Sequence, residues 1–491
     1  MLISARQAAF EILLRVQKQD AYASELLNSE RLTSLSPADR GLCTELVMGA
    51  LRWQSALDDD IQAVSSQKLN RLDAEVLVAL RLGAYQLRFL DRVPAHAAVD
   101  ESVELVKRAR KRSAAPFANA VLRKLSGKYT DRKDEAVDPG VAAVQAHPLW
   151  LVERWVREFG AEQARRICEF DQQQTAVALR MPAREAEAIE ARLRAEGIEL
   201  VPGRLLRSAR LVLSPHASVR NYDPHREAPD SAPAKTGTAV AENFKAHPSV
   251  SLEHRLAIQD EGSQLVGALV GTGSRILDCC AAPGNKTAML AEVNPQASIV
   301  AVELHPHRAE LLRRRLLALA GDFSAKPSAA STVDATDGMN FGRVEVLTAD
   351  AVALPYGREF DRILADVPCS GTGTLARHPE IKWRLRPDDL ADLQARQRAI
   401  LAAALRHLAP GGVLVYATCS LETEENAAVV EEVLREHPAA RLLDCRTRLR
   451  ELQDQGELTW PELDSLTSGP YLRTLPGTHP CDGFFAAMIT T

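Results

Sequence analysis

The chain of 491 residues has no long apolar run and no large excess of charge of one sign. No apolar stretch approaches the ~18 residues that a membrane-spanning helix needs. The N-terminal residues also lack the basic segment, apolar core and small-residue cleavage site of a signal peptide. We therefore expect a cytoplasmic protein with no membrane partner. The formal net charge of -5, averaged over the chain, gives no indication of a nucleic-acid ligand.

Cysteine is also scarce, with eight residues in the whole chain. In a reducing compartment, so few cysteines argue against a disulfide framework. No CxxC pair or Cys/His cluster has the spacing of a zinc site. Cys279 and Cys280 are adjacent, which is too close for two ligands of one metal on a strand. We therefore predict no structural metal.

The spacing of apolar residues divides the chain into three predicted domains. Residues 1–130 show helical periodicity throughout, which predicts an all-α domain. Residues 145–255 mix helical and strand-like segments and predict a small α+β domain with an insertion. In residues 256–491 short apolar runs alternate with helical patterns, which predicts a doubly wound, mainly parallel α/β sheet.

Shorter features refine this division. One helix is predicted over residues 149–170, and strands are predicted near residues 176–180 and 211–213. Residues 221–245 look like a flexible insertion because they contain Asp-Pro and Ser-Ala-Pro sequences. Residues 320–340, dense in Ser, Ala, Thr and Asp, are predicted to form a mobile surface loop.

A local concentration of positive charge lies between residues 107 and 133, where ten basic residues stand against one acid. The ten are Lys107, Arg108, Arg110, Lys111, Arg112, Arg123, Lys124, Lys128, Arg132 and Lys133. Clustered basic side chains attract phosphates through an electrostatic interaction that does not depend on base sequence. A solvated basic helix would have the same composition, and the residues alone favour neither interpretation.

A turn of small residues, 279–284, follows the first predicted strand of the α/β region and precedes a helix. Such a turn lets backbone amides approach a ligand closely. It lacks the GxGxxG pattern of dinucleotide-binding enzymes, which argues against an NAD-dependent dehydrogenase. Glu303 ends the next strand, where a carboxylate can accept hydrogen bonds from both ribose hydroxyls. Asp350, at the end of the third strand, is placed to meet an adenine.

The charges of this region indicate which cofactor it binds. S-adenosylmethionine carries cationic sulfonium and amino groups, which favour nearby acids such as Asp278 and Asp366. Each of the four acids alone could be a simple strand-end cap. Because they follow successive strands in register, we interpret them as a site for S-adenosylmethionine.

Cys369 and Cys419 are the most informative residues of the sequence. Each follows a short apolar run that predicts a buried strand, 360–365 and 412–417, and each precedes small turn-forming residues. Both are therefore expected at the carboxyl edge of a parallel sheet, where ligands bind. Taken singly, either could be an ordinary core cysteine, since free cysteine is among the most buried residue types.

Two thiols beside a methyl sulfonium are suited to the methylation of carbon 5 of cytosine, which is a poor nucleophile. A thiolate that adds to carbon 6 turns the ring into an enamine whose carbon 5 can attack the methyl group. A base then removes the carbon 5 proton, and the thiolate is eliminated. Lys286 can lower the pKa of such a thiol, and Asp366 can hydrogen-bond the ring. Cys369 follows Pro368 where amino-group methylases usually have an aromatic residue, so we predict carbon rather than nitrogen methylation.

Several segments of the C-terminal half resemble the RNA 5-cytosine methyltransferases of the RsmB/NOP/Sun type. The matching segments are residues 258–264 (IQDEGSQ), 278–287, 302–303, 350, 366–373 (DVPCSGTG), 378–383 (HPEIKW), 418–420 (TCS) and 482–485 (DGFF). Four N-terminal segments resemble the NusB-like RNA-binding module, namely residues 45–53, 85–87, 94–99 and 117–123. The order of the domains resembles that of family members that methylate small-subunit ribosomal RNA.

The resemblance implies a fold and a role for each site residue. The implied fold is a NusB-like all-α domain, a small RRM-like domain and a Rossmann-like methyltransferase domain. Cys419 would be the nucleophile that attacks carbon 6, Cys369 would assist release of the methylated RNA, and Asp366 would complete the catalytic set. The family's cofactor contacts fall on Cys280, Ala281, Ala282, Pro283, Gly284, Asn285, Lys286, Glu303, Asp350 and Asp366. The implied substrate is small-subunit (16S) ribosomal RNA, with the basic stretch as a contact.

Three positions depart from the family pattern. Asn285 replaces a second glycine, and since asparagine tolerates unusual backbone angles we expect a modest effect on affinity. Glu303 replaces the commoner aspartate. Arg180-Met-Pro stands where Arg followed shortly by Asn is common.

Two alternatives to this function remain. The substrate could be transfer RNA, or the protein could be a non-catalytic RNA-binding assembly or antitermination factor. We expect a monomer.

Overall fold

The computed structural model describes residues 3–131, 139–181, 186–195, 197–213, 256–320, 332–333 and 343–491. The predicted insertion at 221–245 therefore lies outside the described residues, as does most of 320–340. The described residues form two compact units. With the gaps just given, one unit contains residues 3–175 and 375–384, and the other contains residues 176–213, 256–374 and 385–491.

The first unit is helical. Its helices are α1 (Ala5–Gln19), α2 (Ala23–Leu27), α3 (Pro37–Arg52), α4 (Gln54–Val64), α5 (Ala74–Phe89), α6 (Ala95–Arg108), α7 (Ala115–Asp131), α8 (Pro139–Gln145), α9 (Leu149–Phe159), α10 (Ala161–Gln172) and a short late helix, Ile381–Arg384. α3 begins where it does because the Ser36 hydroxyl accepts a hydrogen bond from the Asp39 amide (3.1 Å) and Pro37 takes the first helical position. The all-α prediction is confirmed.

The prediction of one helix over residues 149–170 is wrong. α9 and α10 are separate helices, with Gly160 between them at φ +83°. That backbone angle is incompatible with a continuous right-handed helix. The apolar spacing continues through both helices, because each buries one face, and it therefore conceals the break.

No helix in the described part of the chain is long and apolar enough to cross a membrane.

A small antiparallel sheet opens the second unit. It contains β1 (Ala178–Arg180), β2 (Leu200–Pro202), β3 (Ala209–Val212) and β4 (Ala257–Ile258), with α11 (Ala186–Ala195) between β1 and β2. The strand order is β2-β3-β1-β4. β1 and β3 confirm the strands predicted near residues 176–180 and 211–213. β2 was not predicted, and β4 has only two residues, too few for an apolar pattern to indicate it.

The rest of the second unit is built on a large mixed sheet. Its strands are β5 (Arg275–Asp278), β6 (Ser298–Glu303), β7 (Thr332–Val333), β8 (Arg343–Thr348), β9 (Phe360–Asp366), β10 (Leu408–Thr418), β11 (Arg441–Leu443), β12 (Thr467–Ser468), β13 (Tyr471–Thr474) and β14 (Phe484–Thr490). The order is β12-β13-β14-β10-β9-β5-β6-β8-β7, and β11 also pairs with β14. β10, β9, β5, β6 and β8 are mutually parallel, whereas β7 and the β11–β14 side pair antiparallel.

The parallel centre of this sheet was predicted and is confirmed, whereas its antiparallel extension was not predicted. The predicted loop at 320–340 is wrong at residues 332–333, because they form β7 against β8. Helices cover the sheet: α12 (Glu261–Val270), α13 (Asn285–Val293), α14 (Pro306–Ala320), α15 (Asp389–His407), α16 (Ala427–Glu436) and α17 (Cys445–Asp454).

Both faces of the large sheet are buried. Successive residues of a strand alternate between two apolar clusters, as Ile276 and Leu277 do on β5 and Leu364 and Ile363 do on β9. The strands therefore read as continuous apolar runs rather than as alternating patterns. Their carboxyl ends are the exposed edge on which polar side chains can converge.

Candidate active site

The acids and one cysteine predicted for the site follow the parallel strands at one edge of the large sheet. Asp278 ends β5, Glu303 ends β6 and Asp366 ends β9. Cys419 comes directly after β10, and Asp350 comes two residues after β8. Because neighbouring parallel strands end on the same side, the structure brings these five residues to one edge.

The turn after β5 is shaped by Gly284. Its φ is +104°, so the backbone favours glycine, and a Cβ at this position would lie 2.6 Å from Leu312 Cδ1 unless that side chain shifted. Asn285 is the first residue of α13, and its φ is not positive. The unusual backbone angle, a positive φ, lies at Gly284 instead. The Asn285 Nδ2 donates to the Ile258 carbonyl oxygen (3.1 Å). The turn itself consists of Cys279, Cys280, Ala281, Ala282, Pro283 and Gly284.

Asp278 is buried where the turn begins, with 1% of its surface exposed. Its Oδ2 accepts a hydrogen bond from Thr287 Oγ1 (2.7 Å). Burial raises the pKa of Asp278 to about 6, although the Thr287 hydrogen bond opposes this. The Oδ1 atoms of Asp278 and Asn285 are buried and have no hydrogen-bond partner among the described residues. Buried acceptors normally have partners, so these two atoms suit a ligand that donates hydrogen bonds.

The two acids farther along the edge have different surroundings. Glu303 is buried, and its Oε1 accepts from the His305 amide (2.9 Å). Its Oε2 lies 3.6 Å from a terminal nitrogen of Arg308, whose other terminal nitrogen donates to the Ala282 carbonyl oxygen (3.1 Å). Arg308 thus links Glu303 to the turn after β5. Asp350 is exposed, and its Oδ1 accepts from the Val352 amide (2.9 Å).

Cys369 and Cys419 lie together at this edge, both half-buried, with their Sγ atoms 3.3 Å apart. The Cys419 amide also donates to Cys369 Sγ (3.3 Å). The hydrogen bond with Cys419, followed by burial, raises the pKa of Cys369 well above its usual range. This shift favours the protonated form of Cys369, and either sulfur can donate the hydrogen bond between the two thiols.

An ion pair lies beside the two thiols. Lys286 Nζ donates to Asp366 Oδ2 (2.7 Å) and to Ser263 Oγ (2.8 Å). Burial disfavours the charge on Lys286, but the nearby Asp366 outweighs it and, with a smaller contribution from Cys419, raises the pKa of Lys286. The charged form of Lys286 is therefore favoured, and its charge acts on Cys419. Within the described ranges, no group of three or more His, Cys, Asp or Glu side chains could hold a metal ion.

Comparisons with known proteins identify the family. The model of the 16S rRNA methyltransferase RsmB/F family matches residues 270–490. The chain is 33% identical to the probable ribosomal RNA small subunit methyltransferase B of Bacillus subtilis, over 89% of each chain. It is 31% identical to the ribosomal RNA small subunit methyltransferase B of Vibrio cholerae, over 100% of this chain and 98% of that one. The chain belongs to the RsmB/F methyltransferase family.

The other parts of this RsmB/F chain also match families. The NusB family model matches residues 3–127, and a ferredoxin-like domain of RsmF/B-like methyltransferases matches residues 147–219. The crystal structure of PH0851 has the same fold, with a TM-score of 0.74 and 21% identity over 100% of this chain and 98% of that one. The predicted succession of NusB-like, small α+β and Rossmann-like domains is confirmed. The domain bounds 1–130, 145–255 and 256–491 stay predictions.

One segment that carries the resemblance to the RsmB/F family is residues 378–383. It is part of the helical unit, where it binds the free carbonyl ends of helices. Lys382 Nζ donates to the carbonyl oxygens of Arg52 and Ala146, both at 3.0 Å. Trp383 Nε1 donates to the carbonyl oxygen of Leu51 (2.8 Å). These hydrogen bonds therefore stabilise the helical unit.

Acids neutralise part of the predicted basic stretch. Lys111 pairs with Asp73 (2.9 Å), Lys128 pairs with Asp60 (2.7 Å), and Lys107 and Arg108 lie close to Glu104. Arg110, Arg112, Arg123 and Lys124 have no carboxylate partner in the part of the chain that the structure describes. Arg132 and Lys133 lie outside it. An exposed positive surface remains on α6, α7 and the turn between them, but it is smaller than the composition indicates.

Arg180, which the family pattern left in doubt as an RNA contact, is buried and forms an ion pair with Glu292. The sequence also failed to indicate Arg308, Ser263 and Glu425, which hold site residues in place. Ser263 lies in the segment 258–264 that resembles the family, but no role followed from its position there. Arg308 and Glu425 are single charged residues in a helix and a turn, and only the fold shows what they contact.

Proposed function

We propose that this chain transfers a methyl group from S-adenosylmethionine to carbon 5 of a cytosine in small-subunit (16S) ribosomal RNA, through a covalent cysteine–cytosine adduct. The observation that carries the proposal is the pair Cys369 and Cys419, whose sulfur atoms are 3.3 Å apart beside the Lys286–Asp366 ion pair. Methylation of an exocyclic amino group needs no thiol, whereas methylation of carbon 5 needs one that adds to carbon 6.

The acceptor groups around the turn of residues 279–284 fit S-adenosylmethionine. The buried acceptors Asp278 Oδ1 and Asn285 Oδ1 suit its amino group, and Glu303 suits its ribose hydroxyls. The cofactor would supply an electrophilic methyl group on a cationic sulfonium. Asp278, Glu303 and Asp366 favour such a cation, since opposite charges attract strongly where water is excluded.

The two cysteines would divide the covalent chemistry. The Cys419 thiolate forms a bond to carbon 6, and the electron pair of the ring's double bond becomes available at carbon 5 for attack on the methyl group. After a base removes the carbon 5 proton, those electrons restore the double bond and the Cys419–carbon 6 bond breaks. A thiol that donates to the Cys419 sulfur stabilises it as a thiolate both before attack and on departure, and this is the help that Cys369 is positioned to give.

Lys286 and Asp366 would prepare the site for these steps. The positive charge of Lys286 favours the anionic form of the neighbouring thiol. Asp366 accepts from Lys286 through Oδ2, which leaves its Oδ1 to accept a hydrogen bond from the amino group of the base. A cytosine has such a donor, whereas a uracil has a carbonyl oxygen at that position.

The substrate assignment rests on the relatives, which are named as ribosomal RNA small subunit methyltransferases. It also rests on Arg110, Arg112, Arg123 and Lys124, which have no carboxylate partner among the described residues. Bisulfite sequencing of ribosomal and transfer RNA from a deletion strain tests it. Loss of one 5-methylcytosine from small-subunit ribosomal RNA is the expected result. Loss from transfer RNA alone would reassign the substrate, and no loss from either RNA would favour a non-catalytic assembly factor.

A further inference from the structure

Glu425 is a buried carboxylate that connects the loops of the two cysteines. It ends the short turn Thr423–Glu425 after β10 and is completely buried. Its Oε1 accepts from the Ser370 amide and from Gln397 Nε2, both at 2.8 Å. Its Oε2 accepts from the hydroxyls of Ser370 and Ser420, both at 2.5 Å. Both oxygen atoms therefore have two donors.

The donors to Glu425 are adjacent to the reactive thiols in the sequence. Ser370 follows Cys369, and Ser420 follows Cys419. The Gln397 side chain also donates to the carbonyl oxygen of Pro368 (2.9 Å), the residue before Cys369. Glu425 thus joins the two cysteine loops through Ser370 and Ser420. Gln397 of α15 also holds the Cys369 loop, through the Pro368 carbonyl oxygen.

Burial of a carboxylate at this position carries a large desolvation cost. No lysine or arginine among the described residues pairs with Glu425. A buried charge without a counter-ion is stable only when hydrogen bonds fully satisfy it, and a glutamine or an apolar residue would be less demanding in a purely structural position. The negative charge also acts on Cys369: after the hydrogen bond with Cys419 and burial, it is a further cause of the raised pKa of that thiol.

We propose that Glu425 is a positioning residue, which clamps Ser370 and Ser420 so that the Cys369 thiol faces the Cys419 sulfur and remains its hydrogen-bond donor. The carboxylate acts through the two cysteine loops and does not touch the substrate. The proposal rests on the proposed function for its catalytic meaning, but the clamp itself concerns only the two thiols and can be tested without RNA.

The test uses the full chain with Glu425→Gln, which removes the charge and keeps the size of the side chain, and with Ser370→Ala, which removes one hydroxyl donor. Glu436→Gln, on the exposed side of α16, is the matched control. Peptide-resolved alkylation by iodoacetamide across a range of pH reports the ionisation of each thiol. Other titratable groups that act electrostatically with Cys369 are Cys419, Glu425 and Tyr416, and the first and last are unchanged in every variant.

In Glu425→Gln we expect Cys369 to be alkylated at lower pH than in the wild type, because the neighbouring negative charge is gone. The kcat for RNA methylation should fall roughly 10- to 100-fold with little change in KM, since misplaced reacting groups slow the chemistry without weakening binding. Ser370→Ala should lower kcat less than Glu425→Gln does and, because it keeps the charge of Glu425, should not move the alkylation of Cys369 to lower pH; Glu436→Gln should match the wild type.

A Glu425→Gln protein with the wild-type alkylation profile, or with wild-type kcat, overturns the proposal. If Glu425→Gln fails to fold, Ser370→Ala decides by kcat, and a wild-type kcat in that variant would overturn the proposal. Failure of the proposed function is distinguishable, because in that case the wild-type protein itself would form no 5-methylcytosine, while the difference in alkylation between wild type and Glu425→Gln would persist.

Discussion

The amide of Gly483 donates a hydrogen bond of 2.8 Å to the carbonyl oxygen of Gly373. The amide of Gly373 in turn donates to the carbonyl oxygen of Cys419 (2.9 Å). Three segments that are far apart in the sequence, the Cys369 loop, the Cys419 loop and the start of β14, are thereby joined backbone to backbone. A Cβ at Gly373 would lie 2.2 Å from the Gly483 oxygen, so only glycine permits this approach.

We therefore expect Gly373→Ala to destabilise the second unit by about 1–3 kcal/mol, because a methyl group inserted against a rigid backbone forces the loops apart. The rate of methyl transfer should fall by more than the loss of unfolding free energy accounts for, because Cys369 and Cys419 move apart. Gly357→Ala is the matched control, because nothing lies within 4 Å of a Cβ built there. Denaturant unfolding and single-turnover rates measure both effects, and equal behaviour of the two variants would contradict the interpretation.

The buried Asp278 predicts a pH dependence of cofactor binding. Its pKa is raised to about 6, chiefly by burial. A cationic ligand favours the ionised carboxylate, so the affinity for S-adenosylmethionine should be greatest above pH 6 and should weaken as the pH falls below it. Asp278→Asn should bind more weakly at pH 8 and should lose this dependence. Calorimetric titration between pH 5 and 8 measures the effect; parallel curves for wild type and variant would refute it.

Lys382 predicts a pH dependence of stability in the helical unit. Burial lowers its pKa to about 7, although Asp171 opposes this shift. The unfolded chain, with an ordinary lysine pKa of 10.5, binds the proton more tightly than the folded chain does. Stability therefore rises as the pH increases from about 7 toward 10.5, with a slope of at most about 1.4 kcal/mol per pH unit.

The check is the difference in unfolding free energy between the wild type and Lys382→Met, which removes the titrating group. This difference should shift in favour of the wild type as the pH rises. Lys107→Met serves as the control because Lys107 is exposed, and its difference from the wild type should not change with pH. A constant difference for Lys382→Met would mean that Lys382 is not buried as the structure has it.

The sequence predicted the carboxyl edge of the sheet well because strand and turn patterns are local. Cys369 and Cys419 each follow an apolar run, and Glu303 ends one, so a parallel sheet necessarily brings them together. The pairing of the two sulfur atoms at 3.3 Å follows from the same register.

What the sequence could not predict depends on contacts between distant segments. The carboxylate of Glu425 looks like one more acid in the run Glu422-Thr-Glu-Glu, and only the fold directs it to Ser370. Lys382 belongs by its position to the methyltransferase half, but its hydrogen-bond acceptors are helix ends some 236 and 330 residues earlier. Short strands such as β4 cannot be predicted for a similar reason. β4 is a strand because it pairs with β1, and its own two residues carry no pattern.

The division of labour between the cysteines is tested most directly by incubating Cys369→Ala with S-adenosylmethionine and the RNA substrate and separating the products on a denaturing gel. We predict a covalent protein–RNA band that accumulates, because Cys419 still attacks carbon 6 but leaves slowly without its hydrogen-bond donor. Cys419→Ala should form neither the band nor 5-methylcytosine. A Cys419→Ala protein that methylates RNA at the wild-type rate would contradict the covalent mechanism.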